Sequence, residues 1–194
     1  MAEQENKNIV DLPNLAKIFN ALRRGRHISL TDGQLYTDLN AHADDFKRIF
    51  AQLGFTMIRH PRDFFYFIDR SNFSESAARI SLFMFILIEN LADKGDSIEE
   101  TIMSRRFNYS ELPHLTGERY RNMMREAGIL DMSDIENLTR SMEKFRFLER
   151  MPDNTFTFRT PAYRFLDICI DMAPDSNEIQ TENSEAATEP DKQQ

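Results

Sequence analysis

The spacing of apolar and polar positions divides the chain into two runs of helices, each ending in a pair of short strands. Leu12, Leu15, Phe19 and Leu22 fall on one helical stripe, predicting a helix that Asp11 caps and that runs to Arg24, with Gly25 as its stop. Thr31-Asp-Gly-Gln34 reads as a capping box opening a second helix with Leu35 and Leu39 inward. Phe46, Ile49, Phe50 and Leu53 mark the inner face of a third, about Ala43–Leu53, which Gly54 ends. Phe55–His60 and Phe64–Asp69 then read as strands joined by His60-Pro61-Arg62-Asp63, with proline at its favoured place in a β-turn.

The second run repeats this order after a long apolar helix, Ser74–Leu91, which reads as buried. Ser97-Ile-Glu-Glu100 and Ser133-Asp-Ile-Glu136 read as two further capping boxes. Between them Tyr120, Met123, Met124 and Ala127 form a stripe that Gly128 stops. The helix after Ser133 carries Ile135, Leu138, Met142 and Phe145 inward. A hairpin follows, Phe147–Met151 and Thr155–Arg159, turning at Met151-Pro152-Asp153-Asn154. A shift of 91 positions superimposes the hairpins: Arg59 falls on Arg150, Pro61 on Pro152, and Phe65-x-Phe67 on Phe156-x-Phe158. Three helices and then a hairpin is the winged-helix order. The expected fold is mainly α with small β-hairpins (α+β), built as two tandem winged-helix domains over 12–72 and 73–173. One α+β domain with two hairpins is the alternative.

Charge changes this picture at the ends. The 194 residues carry a net charge of −8, but 174–194 alone holds six acids against Lys192. Its one large apolar residue is Ile179, so the segment is expected to be a disordered acidic tail, and 1–11 a flexible N-terminus. What remains is nearly neutral, with two local excesses of +3 over Lys17–Arg70 and Asn137–Arg164. The chain shows no signal peptide and no run long enough to span a membrane, so a soluble intracellular protein is expected.

Catalytic patterns are missing. The lone Cys169 excludes a disulfide framework and reads as a core thiol in an apolar helix. His27, His42, His60 and His114 lack metal-site spacing, and the six glycines form no phosphate loop or nucleophile elbow. No enzyme, metal or cofactor is expected. Two binding surfaces are. Arg23, Arg24 and Arg26, Lys47 and Arg48, Arg59 and Arg62, and in the second unit Arg140, Lys144, Arg146 and Arg150, suit DNA phosphates. Asp44 and Asp45 in one unit, and Asp134 and Glu136 in the other, occupy the helix starts that would meet bases, so readout of sequence is not expected. Phe64, Phe65, Tyr66 and Phe67 are apolar on both faces of a strand, which suits a partner or dimer interface.

Ala21-Leu-Arg-Arg-Gly-Arg-His-Ile-Ser-Leu30 and Asp63-Phe-Phe-Tyr-Phe-Ile-Asp-Arg-Ser71 resemble the MukE/MksE family, accessory subunits of bacterial condensin-like SMC complexes, and Leu138–Asp167 is similar to that family's second winged helix. The shorter length is closer to the MksE branch. The resemblance implies a cytoplasmic, nucleoid-associated homodimer that binds a kleisin subunit (MukF or MksF type). It also implies a bridge to an SMC ATPase of the MukB/MksB type and non-specific DNA contact. The work of such a complex is chromosome condensation and segregation, or plasmid defence. A stand-alone winged-helix transcription regulator is the competing function, and it would need a specific operator.

Overall fold

The computed structural model describes residues 12–68 and 75–172. The expected cap Asp11, the flexible N-terminus, the boundary at 72/73, the acidic tail and the side chain of Cys169 lie outside the described residues. The fold is mainly helical with two small antiparallel sheets, an α+β chain as expected.

The N-terminal half runs α1 (Leu15–Arg23), β1 (Ile28–Ser29), a 3-10 turn (Leu30–Asp32), α2 (Gln34–Ala41), α3 (Ala43–Gln52), β2 (Thr56–His60) and β3 (Phe64–Ile68). Its buried residues, among them Ile18, Leu22, Leu39, Phe46, Phe50, Met57 and Phe65, form one cluster. The C-terminal half opens with the long α4 (Glu75–Asp93) and continues with α5 (Ile98–Ser104), β4 (Phe107–Asn108), 3-10 turns at Tyr109–Glu111 and Pro113–Leu115, and α6 (Glu118–Glu126). α7 (Met132–Lys144), β5 (Leu148–Arg150), β6 (Thr155–Phe158), a 3-10 turn (Thr160–Ala162) and α8 (Tyr163–Met172) complete it. A second cluster, from Ile80 to Leu166, is its core. Seven residues of α4, including Phe83 and Leu87, are buried there, which accounts for the helix's high apolar content.

The two halves repeat more closely than their hairpins alone suggest. The sheets have the orders β1-β3-β2 and β4-β6-β5. Phe65 lies between Ile28 and Arg59, and Phe156 between Phe107 and Arg150, in the same register. Both hairpins turn through three residues that end in a left-handed conformation, 61–63 with Asp63 (φ 56°) and, inside the bond from the Met151 N–H to the Thr155 carbonyl at 2.8 Å, 152–154 with Asn154 (φ 61°).

Several local expectations need correction. α1 begins at Leu15, after Pro13 and a left-handed Asn14 whose amide donates to Asp38 at 2.7 Å. The first capping box is Ser29–Asp32, which closes the 3-10 turn, and not Thr31–Gln34. Ser97 precedes α5 without a side-chain cap bond. α7 is capped by Asp131, not Ser133: its carboxylate accepts the N–H of Ser133 at 2.8 Å and of Asp134 at 3.2 Å. The bond from the Ser133 hydroxyl and those backbone bonds hold the Asp131 carboxyl below its ordinary pKa. Leu53 faces solvent, beyond the end of the buried stripe on α3.

Candidate nucleic-acid interface at the seam between the halves

Gly25 ends α1 with φ +79°, and a methyl group added there would sit 3.2 Å from the Phe145 ring at the end of α7. This close approach sets the two helix C-termini side by side. The His27 backbone N–H donates to the Phe145 carbonyl at 3.2 Å, and the ring Nδ1 lies 3.1 Å from the same oxygen. Nδ1 is therefore the donor, which leaves Nε2 to accept from Arg164 at 3.2 Å. Burial, then the Arg164 charge, lowers the His27 pKa to about 3, so the ring is neutral. The seam continues with His60 Nε2 at 2.8 Å from Asp167, and with Arg62 bound to Glu99 at 3.0 Å and laid over the Tyr163 ring at 4.0 Å.

These contacts explain the two-faced aromatic strand. Phe65 and Phe67 pack into the N-terminal core, Phe67 against Phe50 and Phe55. Phe64 and Tyr66 point the other way, into the seam: Phe64 stacks on His60 at 4.2 Å, and Tyr66 stacks on His27 beneath Arg164. Phe64 and Phe65 have no exposed surface and Tyr66 and Phe67 are half-buried, so the expected partner surface on these four rings is revised. The strand is apolar on both faces because the chain itself covers both.

The expected phosphate-binding cations divide sharply by what holds them. Arg26 and Arg146 both bind the Asp32 carboxylate, Arg146 at 3.3 Å. Arg48 pairs with Asp45, Arg59 with Asp63 at 3.0 Å, and Arg62 with Glu99. Arg140 donates to Asn137 at 2.8 Å, and Arg150 to the Tyr109 hydroxyl at 3.3 Å. Arg23, Arg24, Lys47 and Lys144 are exposed, and their side chains bond to no other described residue. Arg23 and Arg24 immediately precede Gly25, and Lys144 immediately precedes Phe145, so three of these four flank the seam. Lys47 stands apart on α3. Positive charge in the last turn also offsets a helix dipole, and Arg23 and Lys144 do this for α1 and α7.

Asp44 and Asp45 occupy the first turn of α3, and Asp134 that of α7, where it accepts the Leu130 N–H at 2.8 Å. Both helix starts present carboxylates, a poor surface for base edges between phosphates. Among the described residues, no three His, Cys, Asp or Glu side chains converge as metal ligands, and no helix is long and apolar enough to cross a membrane.

The profile of the family described as condensin complex protein MksE matches residues 13–170, most of the chain. The chain belongs to the MksE family. Membership makes it a subunit of a condensin-like complex, and the matched stretch takes in both halves and the seam that joins them. No curated protein matches the chain significantly.

One repeat within this MksE-family chain was missed in the sequence. Arg26 and Asp32 bracket β1 and its 3-10 turn, and Arg105 and Glu111, paired at 3.1 Å, bracket β4 and its turn. The displacement here is 79 positions, against 91 for the hairpins. The extra residues follow Glu111 and include the second 3-10 turn, Pro113–Leu115. A search for an arginine and an acid six apart, on either side of a short apolar stretch, would have found it.

Proposed function

We propose that this chain is a non-catalytic connecting subunit of a condensin-like SMC complex, holding DNA by its phosphates while engaging a kleisin-type subunit. Through the kleisin it joins an SMC ATPase, and it works as a homodimer in chromosome organisation and segregation or in plasmid defence. In this reading the two halves, 12–72 and 73–173, are winged-helix domains whose helix starts are not used to read bases.

One observation carries the reading: Arg23, Arg24 and Lys144, contributed by both halves, bond to no other described residue, around a seam where Arg26, Arg62 and Arg146 are held by carboxylates and Arg164 lies against His27 and Tyr66. Cations left free in this way can neutralise phosphates of any sequence. The acidic starts of α3 and α7 speak against the alternative, a stand-alone regulator at a defined operator.

The test mixes the purified full chain with the kleisin subunit of its own complex, follows mass by light scattering, and then adds duplexes of two unrelated sequences. A stable complex that binds both duplexes alike is expected. A monomer that binds no kleisin at micromolar concentration would overturn the reading. Strong preference for a single duplex would restore the regulator.

A further inference from the structure

The two hairpins share their register and their three-residue turns, yet only one has its outer edge sealed. β5 is the edge strand of its sheet, and the backbone N–H of Arg150 leaves the sheet to bond the Glu143 carboxylate at 3.0 Å. Arg59 holds the matching place on β2, opposite Phe65 as Arg150 is opposite Phe156, so its N–H also faces outward. No side chain among the described residues accepts it.

The difference lies in the last turn of the preceding helix. Glu143 is the residue whose carbonyl accepts from left-handed Arg146, at 3.0 Å. In the N-terminal half Ala51 holds that place, accepting from left-handed Gly54 at 3.0 Å, but it stands eight residues before Arg59 where Glu143 stands seven before Arg150. Its methyl group cannot take a hydrogen bond, and the side chain of Gln52, seven before Arg59, bonds to no described residue. An edge strand with outward N–H and C=O groups is a template for another strand unless something covers it. Beside this edge lies a hollow of about 630 Å3 lined by His42, Asp44, Lys47, Arg48, Ile58 and Arg59. Arg48 and Arg59 have acidic partners, and Asp44 sits at a helix N-terminus that favours negative charge. Lys47 is the cation there that bonds to no described residue.

We infer that the free edge of β2 takes up an extended segment of the partner subunit as an added antiparallel or parallel strand, with an acidic side chain of that segment directed at Lys47. Recognition by strand addition draws its affinity from main-chain hydrogen bonds and its specificity from alternate side chains. This rests on the kleisin-binding reading and names the surface and the mode of that contact.

The experiment uses the full chain with its purified kleisin subunit and two variants. Ala51→Glu puts a carboxylate at the place on the helix end that Glu143 holds beside β5, where it can accept from β2, and Arg59→Pro removes the outward N–H at an edge position that tolerates proline. Thermal melting of each variant shows that it is folded. Each is expected to weaken kleisin binding by about tenfold, the loss of one or two main-chain hydrogen bonds, whereas Glu143→Ala leaves it unchanged. Amide hydrogen exchange of the wild-type complex should show Met57 and Arg59, whose N–H groups face outward, newly protected. Wild-type affinity in both variants, with no protection on β2, overturns the inference while leaving kleisin binding intact. Failure of the wild-type chain to bind kleisin overturns both. Protection of β2 in the chain alone, rising with its concentration, would assign the edge to a second copy and overturn the inference as well.

Discussion

Arg146 of the C-terminal half reaches Asp32 of the N-terminal half at 3.3 Å, and the Asp32 carboxylate has no exposed surface. The same carboxylate binds Arg26 and accepts the Ser29 N–H at 3.0 Å. One acid thus closes a 3-10 turn, restrains two arginines and links the halves.

Asp32→Ala should destabilise the chain by about 1–3 kcal/mol, because a reciprocal cap is lost and two partly solvated guanidinium groups lose their partner. The same change removes one negative charge and releases Arg26 and Arg146 at the seam, so DNA affinity should rise as stability falls. Urea unfolding beside duplex titration checks both directions together. A variant that loses DNA binding would show that the carboxylate organises the site instead of neutralising it.

The buried rings should make stability sensitive to acid. His27 and His114 have pKa values pushed down to about 3 and about 4, in each case chiefly by burial. An unfolded histidine titrates near 6.5, so the unfolded chain binds more protons than the folded one below that pH. The stability that each neutral ring contributes is complete above pH 6.5. It is lost as pH falls towards 4 and 3, by on the order of 1.4 kcal/mol per pH unit for each ring. Urea midpoints between pH 7.5 and 4.5 should trace this decline, and His27→Gln should make it shallower. A midpoint constant from pH 6.5 to 5 would contradict the neutral assignment.

Phe65→Ala should cost about 3–5 kcal/mol, since it removes a fully buried ring from the N-terminal core. Phe64→Ala should also destabilise, by loosening the seam where that ring stacks on His60. Light scattering beside thermal melting separates this from an interfacial role. A Phe65→Ala chain that melts like the wild type but changes its mass would return the ring to an interface.

How far these features were legible in the sequence depended on whether they were local. The hairpins were readable because Pro61 and Pro152 mark their turns, and the phenylalanines flanking them repeat with a constant shift. β1 and β4 were not, since two-residue strands carry no periodicity and exist only by pairing with β3 and β6. The caps slipped by two residues because adjacent frames fit the same pattern. Ser29-x-x-Asp32 overlaps Thr31–Gln34, and Asp131 stands just ahead of Ser133. At the site, the basic residues were legible as a set but their pairing was not. That Arg26 and Arg146, 120 positions apart, share one carboxylate follows only from the approach of Gly25 to Phe145. The aromatic strand misled for the same reason. Its second face is covered by His27, Arg164 and their neighbours, which the sequence places far from it or on another element.

The central claim is that Arg23, Arg24 and Lys144 hold DNA phosphates at the seam, and the salt dependence of binding tests it most directly. For duplex DNA each phosphate contact contributes about 0.9 to the slope of log K against log salt concentration. Replacing the three residues by alanine should therefore flatten the slope by about 2.7, equally for unrelated sequences, while the loss of two helix-end charges lowers the melting temperature by only a few degrees. A triple variant that keeps the wild-type slope would contradict the account.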